Sequence, residues 1–121
     1  MRKPNPPHEL ASQIAQIALS KKAREIRIMN LQKLDAVTDF FVICHGESEA
    51  QVKAIADAIL EETSQHGVRM WHREGYQVLH WVLLDYVDVV VHIFEKNIRD
   101  FYRLENLWGD AEIEMIQDHM E

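Results

Sequence analysis

The 121-residue chain has little cysteine, glycine or proline. Its one cysteine, Cys44, cannot form an internal disulfide, which fits a reducing compartment, so we expect a cytoplasmic protein. The four glycines are dispersed, and no glycine-rich loop that could cradle a phosphate is visible. Apolar runs such as residues 81–84 and 89–91 are far too short to cross a membrane, and the first residues contain no apolar core of signal-peptide length.

Basic residues are also few: acidic residues outnumber them by 20 to 13, giving a formal net charge of −7. Proteins that bind nucleic-acid backbones need basic surfaces, so we expect no direct binding to DNA. Hydrophobic residues make up 47% of the chain, enough for one buried core at this length. We expect a disordered lead-in at residues 1–7, because it carries three prolines, one domain at residues 8–109, and an acidic tail at residues 110–121.

Hydrophobic spacing predicts the element order α–β–β–α–β–β–β–α, a single α/β domain with a mixed sheet of about five strands flanked by helices. The first half should hold a helix at residues 8–22 and strands at 25–31 and 40–44. A second helix should start at the capping box of Ser48 and Gln51 and end at Gly67.

The second half should hold a short strand at residues 68–71, a turn at 72–75, and strands at 78–84 and 89–94. These last two strands must form an antiparallel hairpin, because the connection is too short for a parallel crossover. A third helix is predicted at residues 98–108, and the tail should be solvated or a frayed helix. If Asp85 opposes Asp88, one face of the hairpin is aliphatic and the other mixed, with Leu83 opposite Val90 and Trp81 opposite His92.

Two interpretations of Asp85 and Asp88 remain open. They could be ordinary turn residues, as Asp often is, or ligands of Mg²⁺ in a nucleotide-dependent, nucleotidyltransferase-like enzyme. The missing phosphate cradle argues against the second, and no pair of the seven histidines has the i, i+4 spacing of a metal site. We therefore expect no catalytic residue, no metal and no cofactor.

Three blocks of sequence resemble the ribosomal silencing factor family, RsfS, also called Iojap. They are LDAVTDFFVIC followed by HGES at residues 34–48, WVLLDYVDVVVHIF at residues 81–94, and Arg99 followed by YRLENLW at residues 102–108. Their order and spacing match the family over roughly residues 8–109. Where the family often has glycine, this chain has Val87, and a β-branched residue disfavours a positive φ, so we expect no tight primed turn there.

The resemblance implies a nucleotidyltransferase-like fold without the catalytic motif, and a protein that is not an enzyme. It implies binding to the large ribosomal subunit through its fourteenth ribosomal protein, a steric block of subunit joining, and repression of translation when nutrients are short. It also implies a homodimer when the protein is free. On the matched blocks, the residues expected to contact the partner are Trp81, Asp85, Tyr86, Asp88, His92, Arg99, Tyr102 and Glu105.

Overall fold

The structure, a computed structural model, describes residues 5–98, 109 and 111–117. Within these residues, no helix is long and apolar enough to cross a membrane. The predicted helix at residues 98–108 lies, apart from its first residue, outside the described residues. The elements are α1 (Pro6–Ser20), β1 (Arg24–Asn30), β2 (Phe40–Gly46), α2 (Glu49–Gln65), β3 (His72–Glu74), β4 (Trp81–Asp85), β5 (Val89–Glu95) and β6 (Glu112–Ile116).

The strands form one mixed sheet in the order β3-β4-β5-β2-β1-β6. Strands β2 and β5 are parallel, and the other four neighbouring pairs are antiparallel. This confirms the α/β class and the mixed sheet, with six strands where about five were predicted. The extra strand is β6, so the prediction of a solvated tail or frayed helix is wrong for residues 112–116, which pair with β1.

Helix α1 begins two residues earlier than predicted, because Pro6 and Pro7 form its first turn rather than belonging to an unstructured lead-in. Proline is tolerated there, since the first N–H groups of a helix have no carbonyl partner within it. The side chain of Asn5 caps the helix by accepting a hydrogen bond from the N–H of His8 at 3.4 Å.

The segment from β2 to α2 confirms the predicted capping box. The Ser48 hydroxyl accepts the Gln51 N–H at 3.1 Å, and the Gln51 side chain accepts the Glu47 N–H at 2.6 Å. The amide nitrogen of Gln51 also donates to the carbonyls of Lys21 and Lys22, which joins the end of α1 to the start of α2. After the helix, Gly67 adopts the left-handed φ of +78° that the sequence predicted.

The region between α2 and β4 differs from its prediction. Residues 68–71 form no strand, and residues 72–74, predicted as part of a turn, are β3, paired with β4. Gly75 follows with a φ of +90°, and a Cβ on it would lie 2.0 Å from the carbonyl oxygen of Trp81. Only glycine allows the chain to pass so close to β4, and this close approach fixes where β3 ends.

The β4–β5 hairpin is present, with a register shifted by two residues from the predicted one. Asp85 pairs with Val90 rather than Asp88, Leu83 with His92, and Trp81 with Phe94. Side chains alternate between faces with a period of two, so a shift of two keeps the predicted faces. The aliphatic face packs under the helices, with Val82, Leu84, Val89, Val91 and Ile93 in the main core. On the other face, a second core cluster contains Met29, Leu31, Ile43 and Phe94.

Candidate docking surface

The turn between β4 and β5 is strained at Val87, whose φ is +76°. The Asp88 N–H donates to the carbonyl of Tyr86 at 3.0 Å, so the turn consists of the three residues 86–88. The Val87 N–H donates to Oδ1 of Asp85 at 2.7 Å. A positive φ is an outlier for a β-branched residue and costs roughly 1–3 kcal/mol. Val87 thus takes the positive φ that a β-branched residue disfavours, in a three-residue turn.

The loop between β1 and β2, together with the first residue of β2, holds this turn in place. The buried Thr38 hydroxyl donates to the carbonyl of Val87 at 3.0 Å. The carbonyl of Asp88 accepts the N–H groups of Asp39 and Phe40 at 3.0 and 3.1 Å. Together with the hydrogen bonds inside the turn, these contacts over-determine the backbone, which is how a strained conformation persists in a folded chain.

Three large apolar side chains are exposed around the turn: Val37, Trp71 and Val87 have relative accessibilities of 104%, 71% and 57%. The Trp71 N–H donates to the carbonyl of Asp85 at 2.9 Å, which anchors the tryptophan beside the end of β4. Clustered exposed apolar groups mark interaction sites more often than isolated ones do. We call this surface the turn patch; it borders a cleft of about 310 Å³ lined by Val37, Thr38, Trp71, Asp85, Val87 and Val90.

Three acidic residues lie in or beside the turn patch. None of the six lining residues is basic, and Asp85 lies half-buried among them. Asp88 is exposed at the tip of the turn, and Asp39 is half-buried in the adjoining loop. The turn patch therefore combines an apolar centre with an acidic rim, the arrangement that suits a partner with a basic rim around an apolar pocket.

The carboxylate of Asp85 takes part in the turn itself. One oxygen of Asp85 accepts the Val87 N–H, as the turn-residue interpretation expects. The chain that the structure describes holds no group of three or more histidine, cysteine or acidic residues arranged to hold a metal ion. The geometry thus gives Asp85 a structural role in the turn.

His92 lies beneath the surface rather than on it, and its predicted contact with a partner stays a prediction. Its side chain is 5% exposed, and its Nδ1 accepts the Trp81 Nε1–H at 3.1 Å. This bond puts the imidazole proton on Nε2, which is buried and has no hydrogen-bond partner among the described residues. The ring packs edge to face on Phe41 at 4.6 Å, and burial lowers the pKa of His92 to about 4.

Tyr86 is also buried: its ring turns toward α2 and is 7% exposed, and its predicted contact with a partner stays a prediction. Its hydroxyl hydrogen-bonds the Thr63 hydroxyl at 2.9 Å, and burial raises the pKa of Tyr86. Of the other predicted contacts, Trp81 and Asp85 are half-buried and Asp88 is exposed. Arg99, Tyr102 and Glu105 lie outside the described residues.

Sequence reasoning missed Val37 and Trp71 as surface residues. Each carried a signal: Val37 lies between the polar pair Asp35 and Thr38, and Trp71 stands directly before the polar run His72-Arg73-Glu74. Neither position continues a helical or alternating apolar pattern, so an exposed side chain was the simpler interpretation of both.

The comparisons with known proteins agree with one another. The family model described as "Ribosomal silencing factor during starvation" matches residues 4–121. The ribosomal silencing factor RsfS of Bacillus subtilis is 44% identical over 91 residues, which cover 75% of this chain and 77% of that protein. The corresponding protein of Halalkalibacterium halodurans is 46% identical, covering 75% and 78% of the two chains. The chloroplastic protein Iojap of Zea mays is 35% identical, covering 84% of this chain and 44% of the longer plant protein.

Solved structures support the same relationship. A crystal structure of a Bacillus halodurans protein superposes with a TM-score of 0.77 at 37% identity, covering 92% of this chain and 99% of the other. One of a Chromobacterium violaceum protein gives a TM-score of 0.81 at 28% identity, covering 94% and 95%. The family match includes the acidic tail, which the sequence resemblance had left outside. From its sequence and its fold, the chain belongs to the ribosomal silencing factor family, RsfS or Iojap.

Proposed function

We propose that this protein binds the large ribosomal subunit through its fourteenth ribosomal protein and sterically blocks the joining of the small subunit. Translation is thereby repressed when nutrients are short. The observation that supports this best is the turn patch, where Val37, Trp71 and Val87 are exposed around a rigidly held turn. A binding surface on a rigid scaffold loses little conformational entropy when it docks.

Charge explains how a protein with a net charge of −7 can act on a ribosome. Its acidic groups repel the phosphates of ribosomal RNA and attract a basic ribosomal protein. At the turn patch, Asp85 and Asp88 would meet lysine or arginine side chains, while Trp71 fills an apolar pocket. A standard interface of roughly 800 Å² on each partner is within reach of a domain of this size.

The role of each predicted contact follows from its position. Asp85 and Asp88 remain proposed rim contacts, while Trp81 supports the sheet face next to the turn patch through its bond to His92. Tyr86 and His92 hold the hairpin against its neighbours from inside the core. Arg99, Tyr102 and Glu105 remain expected contacts on the sequence resemblance alone.

The test is co-sedimentation of purified protein with isolated large subunits. Truncating an aromatic anchor typically costs 2 kcal/mol or more, so Trp71→Ala should weaken binding about thirtyfold. Val87→Ala should weaken binding as well. Its matched control is Val78→Ala, which should leave binding unchanged, because Val78 is also 57% exposed but does not line the turn patch. Each variant must have the same melting temperature as the wild type. Wild-type binding by both Trp71→Ala and Val87→Ala would move the docking surface elsewhere.

The steric mechanism needs a second assay. Light scattering follows the association of purified large and small subunits, and the wild-type protein should inhibit it in proportion to its occupancy of the large subunit. Trp71→Ala should inhibit only at correspondingly higher concentrations. If the protein binds large subunits fully while association proceeds normally, the proposed block is wrong.

The proposal is for a regulator rather than an enzyme, in keeping with the names of its relatives. In an assay with labelled nucleotides and Mg²⁺, we expect no nucleotide turnover by the wild-type protein. We therefore expect no loss of activity in Asp85→Asn or Asp88→Asn. Nucleotide turnover that disappears in either variant would favour the nucleotidyltransferase-like alternative.

We also propose that the free protein is a homodimer whose contact overlaps the turn patch, so that dimer formation and ribosome binding compete. The exposed apolar groups of the turn patch would be covered in both states. Light scattering should show a dimer at high micromolar concentration, and Trp71→Ala should shift it toward the monomer. A wild-type monomer at that concentration would contradict this.

A further inference from the structure

Strand β6 forms one edge of the sheet. It pairs with β1 along residues 112–116, and in the part of the chain that the structure describes no strand lies on its other side. A free edge presents N–H and C=O groups that can pair with another extended chain. The opposite edge, β3, is only three residues long, and its side chains are all polar: His72, Arg73 and Glu74.

The side chains of β6 separate into two chemically different rows. Ile113 and Met115, with relative accessibilities of 43% and 63%, share the face on which their β1 partners Met29 and Arg27 lie. Glu112 and Glu114 are exposed on the face that carries the helices. The free edge therefore offers an apolar row on one side of the sheet and an acidic row on the other.

We propose that the edge of β6 binds an extended, basic segment of another protein by strand addition. The added strand would place lysine or arginine side chains beside Glu112 and Glu114, and apolar side chains beside Ile113 and Met115. Backbone hydrogen bonds supply affinity in this mode of recognition, and alternate side chains supply specificity. The match of an alternating basic and apolar strand to two such rows is what selects this partner.

A second copy of this chain is a poorer occupant of the same edge. Strand β6 carries Glu112 and Glu114 and no lysine or arginine, so pairing two copies of it would bring four carboxylates together. The β6 edge is not part of the turn patch: β4 lies four strand spacings, about 19 Å, from β6, and β2, which follows Val37 and Thr38, lies two spacings, about 10 Å, from it. The inference does not rest on the proposed ribosome contact, and its test uses the free protein.

The probe is a fluorescent eight-residue peptide of alternating lysine and valine, and binding is followed by fluorescence anisotropy at low ionic strength. The control peptide has the same composition, with alternate residues N-methylated on the edge that would face β6. We expect binding of the first peptide and at least a tenfold loss with the second, because N-methylation removes the backbone donors. Amide chemical shifts should change along β6 and β1 and not at Val37, Trp71 or Val87.

Two charge reversals test the site on the protein. Glu112→Lys should weaken peptide binding about fivefold, since an opposite-charge cross-strand pair becomes a like-charge one. Glu74→Lys makes the same change of net charge on the other edge strand, and should leave affinity within about twofold. Met115→Thr should also weaken binding, by removing an apolar contact from a position that stays compatible with a strand.

Three results would overturn the proposal. The first is equal binding of the two peptides, which would mean that backbone pairing plays no part. The second is an equal effect of Glu112→Lys and Glu74→Lys, which would reduce the binding to general charge attraction. The third is dimerisation in analytical ultracentrifugation that Met115→Thr abolishes, which would make a second copy the occupant of this edge.

Discussion

Protonating His92 should destabilise the folded protein, because the imidazole is buried and no charged partner for a cation is present in the described part of the chain. In the fold its Nδ1 accepts the Trp81 Nε1–H at 3.1 Å, and the ring packs against Phe41. A second proton would have to take the place of that hydrogen bond and put a charge among aromatic side chains. Burial consequently lowers the pKa of His92 from 6.5 to about 4.

The sign and size of the effect follow from proton linkage. The unfolded chain takes up this proton near pH 6.5, while the folded chain takes it up only near pH 4. The stability due to the neutral His92 is therefore fully present above pH 6.5 and is lost as the pH falls toward 4. At pH 5 the loss is about 2 kcal/mol, and below pH 4 it reaches about 3 kcal/mol.

Urea unfolding of the wild type and His92→Phe at pH 7.5 and pH 5.0 measures this loss. Phenylalanine keeps the ring in the cluster and removes the hydrogen bond to Trp81 at both pH values, so that cost cancels between them. The free energy of unfolding should fall by about 2 kcal/mol more in the wild type than in the variant. His66→Phe, at an exposed position, is the control: it measures how far the loss of a histidine by itself changes the pH dependence of the free energy of unfolding. Parallel pH dependence in the wild type and His92→Phe would refute the reasoning.

Three further outcomes test the hairpin and its neighbours. Gly75→Ala should destabilise the fold by about 3 kcal/mol in urea unfolding, because its Cβ would meet the Trp81 carbonyl, whereas Gly67→Ala, with open space around it, should cost about 1 kcal/mol. Tyr86→Phe should cost about 1 kcal/mol through its lost bond to Thr63 and leave binding to large subunits unchanged in co-sedimentation. Asp88→Lys should slow association with large subunits in stopped-flow measurements, and the difference from the wild type should shrink at high salt.

Those parts of the fold that depend on local patterns were predictable from the sequence. The capping box at Ser48 marks the start of α2 and the left-handed Gly67 follows its end, and both depend on contacts within a few residues. The faces of the hairpin were also predicted correctly although its register was not, because a shift of two residues keeps every side chain on its face. Helix α1 was found from its spacing, although it begins two residues earlier and ends two residues earlier than predicted.

The parts that depend on distant partners were not predicted. In β6, Ile113 and Met115 alternate with glutamates, which is a strand pattern. The prediction followed the acidic composition of the tail instead, because the segment becomes a strand only by pairing with β1. Strand β3 has only exposed residues, so no apolar pattern marks it, and its position depends on pairing with β4.

The candidate site shows the same division. Tyr86 was expected at the surface because Tyr often anchors interfaces, yet the chain reverses immediately after it and turns the ring toward α2. Trp71 belongs to no matched block, and it reaches the turn patch only because its backbone bonds to Asp85. Which aromatic residue is exposed was therefore decided by tertiary packing, which a single sequence does not display.

Val87→Gly separates the two roles that the structure assigns to this turn. Glycine adopts a φ of +76° without strain, so the substitution removes a cost of roughly 1–3 kcal/mol, offset by about 0.5–1 kcal/mol of extra backbone entropy in the unfolded chain. Stability in urea unfolding should therefore rise by about 1 kcal/mol. Binding to large subunits should fall several-fold, because an exposed isopropyl group is lost from the turn patch.

Val87→Ala is the matched variant, since it loses the same contact and keeps the part of the strain that any Cβ causes at a positive φ. It should bind as weakly as Val87→Gly, with stability near that of the wild type. A glycine variant that is less stable than the alanine variant would show that the positive φ at Val87 carries no strain. If the two were to bind large subunits as tightly as the wild type does, the strained turn would hold the hairpin together without presenting Val87 to a partner.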